Sequence, residues 1–179
     1  ITDKKKLERI FKENKIFAIF HLAGLSKLTE SFKKKKLYKK NNIQGTKNII
    51  ELTKKYKIKY LIFSSSASVY GKQKRFPITE NSSLNPISYY GKTKLVSEKL
   101  IKQECSKKVF KSICLRYFNV IGSNFKNKIG EIHHPPIHLI PIMIRNIMFN
   151  KPIEIRSNFK TKDKSGIRDY IDVNDMAKA

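Results

Sequence analysis

A chain of 179 residues, 40% of them hydrophobic, is long enough to bury one substantial core. No apolar run approaches the ~18 residues that a membrane span needs, and the opening Ile1-Thr2-Asp3-Lys4 reads as neither a signal nor a transit peptide. The net charge of +25 raises nucleic acid or an anionic membrane as a partner, yet the 39 basic residues are 33 Lys and six Arg scattered along the chain, so the excess reads as solvated surface.

Thr2 or Asp3 can cap a first helix whose Leu7, Ile10 and Phe11 fall at i, i+3 and i+4. Ile16 to Phe20 is an apolar run of strand length, followed by the small-residue turn His21-Leu22-Ala23-Gly24-Leu25. Doubly wound sheets bind ligands at such carboxyl ends. A helical stretch with Leu37 and Tyr38 leads to another whose Ile43, Ile49, Ile50 and Leu52 suit packing on a sheet. Tyr60-Leu61-Ile62-Phe63 is a second buried strand, and it opens into Ser64-Ser65-Ser66-Ala67-Ser68. That junction puts the Ser66 hydroxyl where a substrate can meet it.

Pro77, Asn81 to Ser83, Asn85 and Pro86 mark a long irregular connection. After it, Tyr90 and Lys94 stand four apart at the start of a helix, with phenol and ammonium on one face. Leu95, Val96, Leu100 and Ile101 are expected to point into the core while Lys94 projects toward the site. Ile113 to Asn119 reads as a third buried strand running into Val120-Ile121-Gly122, and Cys105 and Cys114 read as buried thiols of a reducing, cytoplasmic compartment. Gly130, Pro135, Pro136 and Pro141 then break the pattern around a helix with Ile144, Ile147 and Met148. His133 and His134, adjacent and without a carboxylate set, read as loop surface, so no metal is expected.

The Tyr90 and Lys94 pair carries chemistry. Free Tyr ionises near pH ~10, and bringing this to about 7 takes roughly 4 kcal/mol of preference for the phenolate. Lys94 together with a cationic cofactor ring could supply it. Such a phenol can take a proton from an alcohol while hydride leaves the same carbon.

Ser64-Ser65-Ser66-Ala67-Ser68-Val69-Tyr70-Gly71, followed by Ser88-Tyr89-Tyr90-Gly91-Lys92-Thr93-Lys94, resembles the active-site core of the UDP-glucose 4-epimerase family in the extended short-chain dehydrogenase/reductase superfamily. Further segments, among them Leu115-Arg116-Tyr117-Phe118-Asn119 and Arg168-Asp169-Tyr170-Ile171, extend the likeness over essentially the whole chain. It implies an α/β fold, a Rossmann-like doubly wound parallel sheet that is incomplete. Residues 1–122 would be the second half of the NAD-binding domain and 123–179 part of the sugar-nucleotide-binding region. The resemblance implies Ser66, Tyr90 and Lys94 as catalytic residues. It implies Leu22, Ala23, Gly24, Leu25, Asn42, Ser64, Tyr90, Lys94 and Phe118 as cofactor contacts. Ser66, Tyr90, Asn119, His138, Leu139 and Arg168 would contact the substrate. Ser26 departs from the pattern, since the family often has Lys there.

The implied activity is interconversion of UDP-galactose and UDP-glucose through a 4-keto sugar, with NAD bound tightly and not consumed. The implied partners are the UDP-sugar and a second copy of the chain, without nucleic acid or membrane. Another sugar-nucleotide epimerase or a 4,6-dehydratase is the near alternative, although the dehydratases typically have Thr-Asp-Glu where this chain has Ser64-Ser65-Ser66. A degenerate basic binding protein is the distant one, and its binding would collapse with salt. No Gly-x-Gly-x-x-Gly fingerprint occurs and the chain does not begin with Met, so it reads as an internal piece that holds the catalytic residues without the cofactor's pyrophosphate loop. On its own it is expected to bind NAD poorly and to be inactive.

Overall fold

The computed structural model describes residues 1–155 and 158–179. The expected sugar-nucleotide region, 123–179, includes residues 156 and 157, which lie outside them. The chain forms two compact units, Ile1–Tyr117 and Phe118–Ala179.

In the first unit, α1 (Lys4–Glu13) is capped by Asp3, whose carboxylate accepts from the Lys6 amide at 3.1 Å. Three parallel strands follow in the order β1 (Ala18–His21), β2 (Tyr60–Ser64) and β3 (Lys111–Leu115). Parallel neighbours need crossovers. The first contains α2 (Leu28–Lys33), α3 (Lys35–Tyr38), a π-helical turn (Lys39–Gln44) and α4 (Gly45–Lys55), and the second contains α5 (Tyr89–Cys105). β1 begins at Ala18 because that residue is the first to pair with β2, opposite Tyr60. Ile16, expected in the strand, instead packs on the cluster of Phe11, Leu52 and Ile58.

The main core gathers Ile49, Ile50, Leu61, Phe63, Ile101 and Phe110. Alternation along the strands sends Leu61 and Phe63 toward α4 and α5. Phe20 and Ile113, in register with Ile62, share the opposite face and are 67% and 61% exposed. On α5, Ile101 joins the main core and Leu100 packs on it as expected, while Val96 departs from the expectation. Val96 is exposed, whereas Tyr90, Thr93, Lys94, Ser97, Glu98 and Ile101 are buried. The polar face can turn inward because each of its groups finds a partner there. Ser97 donates to the Asn42 carbonyl at 3.1 Å and Thr93 to the Tyr90 carbonyl at 2.7 Å.

The third apolar run is two strands, not one. β3 ends at Leu115 and β4 is Asn119–Ile121. Between them Arg116 turns to Glu98, and the Ala67 amide donates to the Tyr117 carbonyl at 3.0 Å. In the second unit β4 pairs in parallel with β5 (Tyr170–Asp172), Asn119 opposite Tyr170. Helices α6 (Leu139–Met148) and α7 (Val173–Lys178) complete the described elements, and Asp172 caps α7 by accepting from the Asn174 amide at 2.8 Å. No helix among the described residues is long and apolar enough to cross a membrane.

His21, at the end of β1, is buried against Thr46, with Nε2 2.9 Å from the hydroxyl oxygen. Thr46 gives its own proton to the Asn42 carbonyl at 2.6 Å, so it accepts from His21 Nε2–H and the ring is the neutral Nε2–H tautomer. Burial, helped by the Lys94 charge, lowers the imidazole pKa from 6.5 to about 4. The unfolded chain therefore binds a proton that the folded one refuses. Stability is full above pH ~6.5 and falls by about 3 kcal/mol on acidification to pH ~4. Urea unfolding at the two pH values should show a smaller acid loss for His21→Gln than for the parent.

Candidate active site

The first unit builds its polar centre where β2 runs out. Ser64 ends the strand, Ser65 is buried, and Ser66 caps a short 3₁₀ turn, Ala67–Val69, by accepting from the Ser68 amide at 3.2 Å and the Ser68 hydroxyl at 2.9 Å. Tyr90 enters from the first turn of α5, whose cap, Ser88, accepts from the Gly91 amide at 2.9 Å. Helix and serine loop touch at Gly91. A Cβ there would lie 2.6 Å from the Ser68 carbonyl oxygen, so only glycine lets the start of α5 approach this closely.

Lys94 lies one turn beyond Tyr90 on the same buried face. Its Nζ donates to the Ser64 carbonyl at 2.6 Å and sits 4.9 Å from the centroid of the Phe63 ring and 5.8 Å from that of Tyr90. Burial lowers its pKa from 10.5 to about 8, with the Glu98 carboxylate opposing the shift. Tyr90 moves the other way from the expectation. Burial raises its phenol above the usual value, a hydrogen bond with Ser66 partly offsets this, and Tyr117 adds to the rise. With the ammonium held by the Ser64 carbonyl, Lys94 does not compensate the burial of the phenol. The lowering expected of Lys94 and a cationic ring together is thus not built into the protein alone.

The loop after β1 lies against the same centre. Leu22, Ala23 and Gly24 are exposed. A Cβ on Gly24 would stand 3.2 Å from Asn42 Oδ1 and 3.7 Å from Lys94 Nζ, so bare backbone runs past the ammonium. Asn42 is buried and fully engaged: Oδ1 accepts from the Leu25 amide at 2.8 Å, and Nδ2 donates to the Leu25 carbonyl at 2.9 Å and to Thr93 at 3.0 Å. Through these bonds it ties the loop to α5. The Ser64 hydroxyl is likewise engaged, with the Tyr117 hydroxyl.

A second layer escaped the sequence reading. Glu98, one turn past Lys94, is buried and accepts from Ser65 and from Arg116, whose Nη2 is at 2.7 Å and Nε at 3.0 Å. The guanidinium also bonds the Tyr70 hydroxyl at 3.2 Å. The pair fastens α5 to both ends of the serine loop. The available signal was the spacing of Tyr90, Lys94 and Glu98, i, i+4 and i+8, which puts all three on one face.

In the second unit, the pairing of β4 with β5 brings Asn119 beside the Arg168-Asp169-Tyr170 run, and Asn119 Nδ2 donates to the Asp169 carbonyl at 2.9 Å. The Arg168 guanidinium is exposed, 5.5 Å from the Phe159 ring centroid. His138 and Leu139 open α6, and both are exposed, as is Phe118 at the unit's first position.

Residues 1–179 match the profile of a family described as the NAD dependent epimerase/dehydratase family. The UDP-glucose 4-epimerase of Lactobacillus helveticus is 38% identical over 100% of this chain and 55% of its own length. UDP-glucose 4-epimerase 2 of Arabidopsis thaliana is 40% identical over 99% of the chain and 52% of its own. The crystal structure of UDP-glucose 4-epimerase from Bifidobacterium longum in complex with NAD+ and UDP superposes with a TM-score of 0.91 at 35% identity, over 99% of this chain and 54% of that one. The chain spans about half the length of the curated relatives it matches. The profile spans the whole chain, and the parallel sheet with its helical crossovers superposes on the solved epimerase structure: the chain belongs to the NAD dependent epimerase/dehydratase family.

Proposed function

We propose that the protein containing this chain interconverts UDP-galactose and UDP-glucose, with NAD as its resident cofactor. The observation that carries the reading is the arrangement in the first unit: Tyr90 and Lys94 on one buried face of α5, whose first turn packs at Gly91 on the serine loop that opens from β2. The residues fit NAD. Gly24 lets bare backbone pass Lys94, Leu22 and Ala23 are open beside it, and an ammonium and a phenol stand where ribose hydroxyls could bond them. NAD, when bound, supplies the acceptor and then the donor of a hydride, so the reaction has no net redox change.

The chain's own residues would do the proton chemistry. Tyr90 takes the proton of the sugar 4-hydroxyl as hydride leaves C4, and returns it when hydride comes back on the other face. Ser66 donates to the 4-oxygen and holds it in line with Tyr90. Lys94, now bonded to the Ser64 carbonyl, would hold the cofactor's ribose and bring positive charge to the phenolate, countering the burial that raises the Tyr90 pKa. Asn42 acts as a positioning residue through the loop at Leu25. Phe118, Asn119, His138, Leu139 and Arg168 serve the cofactor and the UDP-sugar, the last as a fork for diphosphate. Three neutral serines, Ser64 to Ser66, offer no acid or base for removing water, which favours epimerisation over 4,6-dehydration.

The test is the longest reading frame that contains this chain, supplied with NAD and UDP-galactose. UDP-glucose should accumulate to an equilibrium reached from either sugar. A 4-keto-6-deoxy product, or no turnover, would contradict the reading.

A further inference from the structure

Among the described residues, three metal-ligating side chains converge away from the serine loop, within the second unit: Glu131, His133 and His138. Glu131 Oε1 lies 3.0 Å from His133 Nδ1 and 2.7 Å from His138 Nδ1. One ligand atom from each residue falls within 4.8 Å of the other two. Ligands sharing a tetrahedral zinc ion stand ~3.3 Å apart. The three atoms therefore already stand near that spacing, on exposed side chains that are free to rotate. The two imidazoles stand edge to face, 79° apart with centroids at 5.6 Å, so their nitrogens converge on the carboxylate and the rings do not stack. The sequence reading set His133 aside for want of a carboxylate. The fold supplies Glu131 and adds His138.

Two further features make the set more than a chance meeting. Pro135 and Pro136 lie between the histidines and restrict the loop, and His138 is the N-cap residue of α6, so one ligand is anchored on a helix. Both reduce the ordering cost of binding. The chain's charge of +25 repels loosely held cations, so retention here requires coordination. Two imidazole nitrogens and one carboxylate oxygen suit zinc and its neighbours in the first transition row, whereas magnesium and calcium prefer oxygen.

We propose that Glu131, His133 and His138 bind one divalent transition-metal ion of the zinc class, with water completing the coordination. The ion fixes the 131–138 loop to the start of α6. Coordination through Nδ1 leaves Nε2 of His138 free, so the site is compatible with a substrate contact by the same ring and does not depend on the catalytic reading.

Calorimetric titration of the chain with zinc chloride, and visible absorption with cobalt(II), test this directly. The expected result is one equivalent bound with a dissociation constant of about 10 μM or tighter. His133→Ala and His138→Ala should each weaken binding at least about tenfold, Glu131→Gln should weaken it, and His134→Ala should leave it unchanged. The ligands are exposed, and circular dichroism would verify that each variant folds. Absence of stoichiometric binding at about 1 mM zinc, or binding indifferent to His133→Ala and His138→Ala, would overturn the site. Neither result bears on sugar-nucleotide turnover.

Discussion

Glu98→Ala is expected to cost about 3–5 kcal/mol of stability, a large part of the total of a domain this size. The carboxylate is buried and takes bonds from Ser65 and two nitrogens of Arg116, whose own side chain is 20% exposed. Removing it leaves a guanidinium without its counter-charge in a mostly dry place. The variant with both partners gone, Glu98→Ala with Arg116→Met, should lose less than Glu98→Ala alone, because no uncompensated charge remains. Denaturant unfolding of the set measures this. A loss below about 1 kcal/mol for Glu98→Ala would mean that the pair does not hold the serine loop to α5.

Lys94→Met is expected to do the opposite: to stabilise the fold while abolishing turnover. The lysine is 4% exposed, and its pKa falls from 10.5 to about 8 on burial. At neutral pH the unfavourable burial of its charge amounts to about 3 kcal/mol. Loss of the bond to the Ser64 carbonyl offsets part of this, leaving a gain of about 1–2 kcal/mol. The pH dependence has a definite sign. The folded parent releases the proton near pH 8 and the unfolded chain only near 10.5, so the parent gains stability as pH rises between those values. The advantage of Lys94→Met should shrink across the same window. A destabilised Lys94→Met at pH 7 would show that the ammonium is held favourably and stores no strain for function.

How far the sequence disclosed this arrangement depended on what each segment is buried against. The runs at Ile16 to Phe20 and Tyr60 to Phe63 announce strands because each is a continuous apolar run of strand length that ends at small or polar residues. Their limits were less legible. β1 starts at Ala18 because pairing with Tyr60 sets it, and Arg116 to Phe118 interrupt the third run because Arg116 leaves the sheet for Glu98. Pairing partners lie too far away in sequence to be read from local pattern. α5 was misread for a related reason. The pattern assigns Val96 to the core, yet Val96 is outside, while Glu98, which the pattern does not single out, is inside because Ser65 and Arg116 satisfy it. The spacing of Tyr90 and Lys94 puts the two on one face, but nothing in it foretells that the Lys94 ammonium donates a hydrogen bond to the Ser64 carbonyl, or that burial raises the phenol. Glu131 and His138 were both visible in the sequence. Glu131 is two residues from His133, and the bend at His134 and Pro135 lies between that pair and His138, which closes on Glu131.

The central claim, that Tyr90 moves the proton, is tested most directly by Tyr90→Phe in the longest reading frame carrying this chain, with conversion of UDP-galactose and binding of UDP measured on the same preparation. Removing one hydroxyl should lower conversion by about 10²–10⁴-fold while UDP binding and thermal unfolding stay near those of the parent. Conversion within about threefold of the parent would contradict the account and move the proton transfer to another residue.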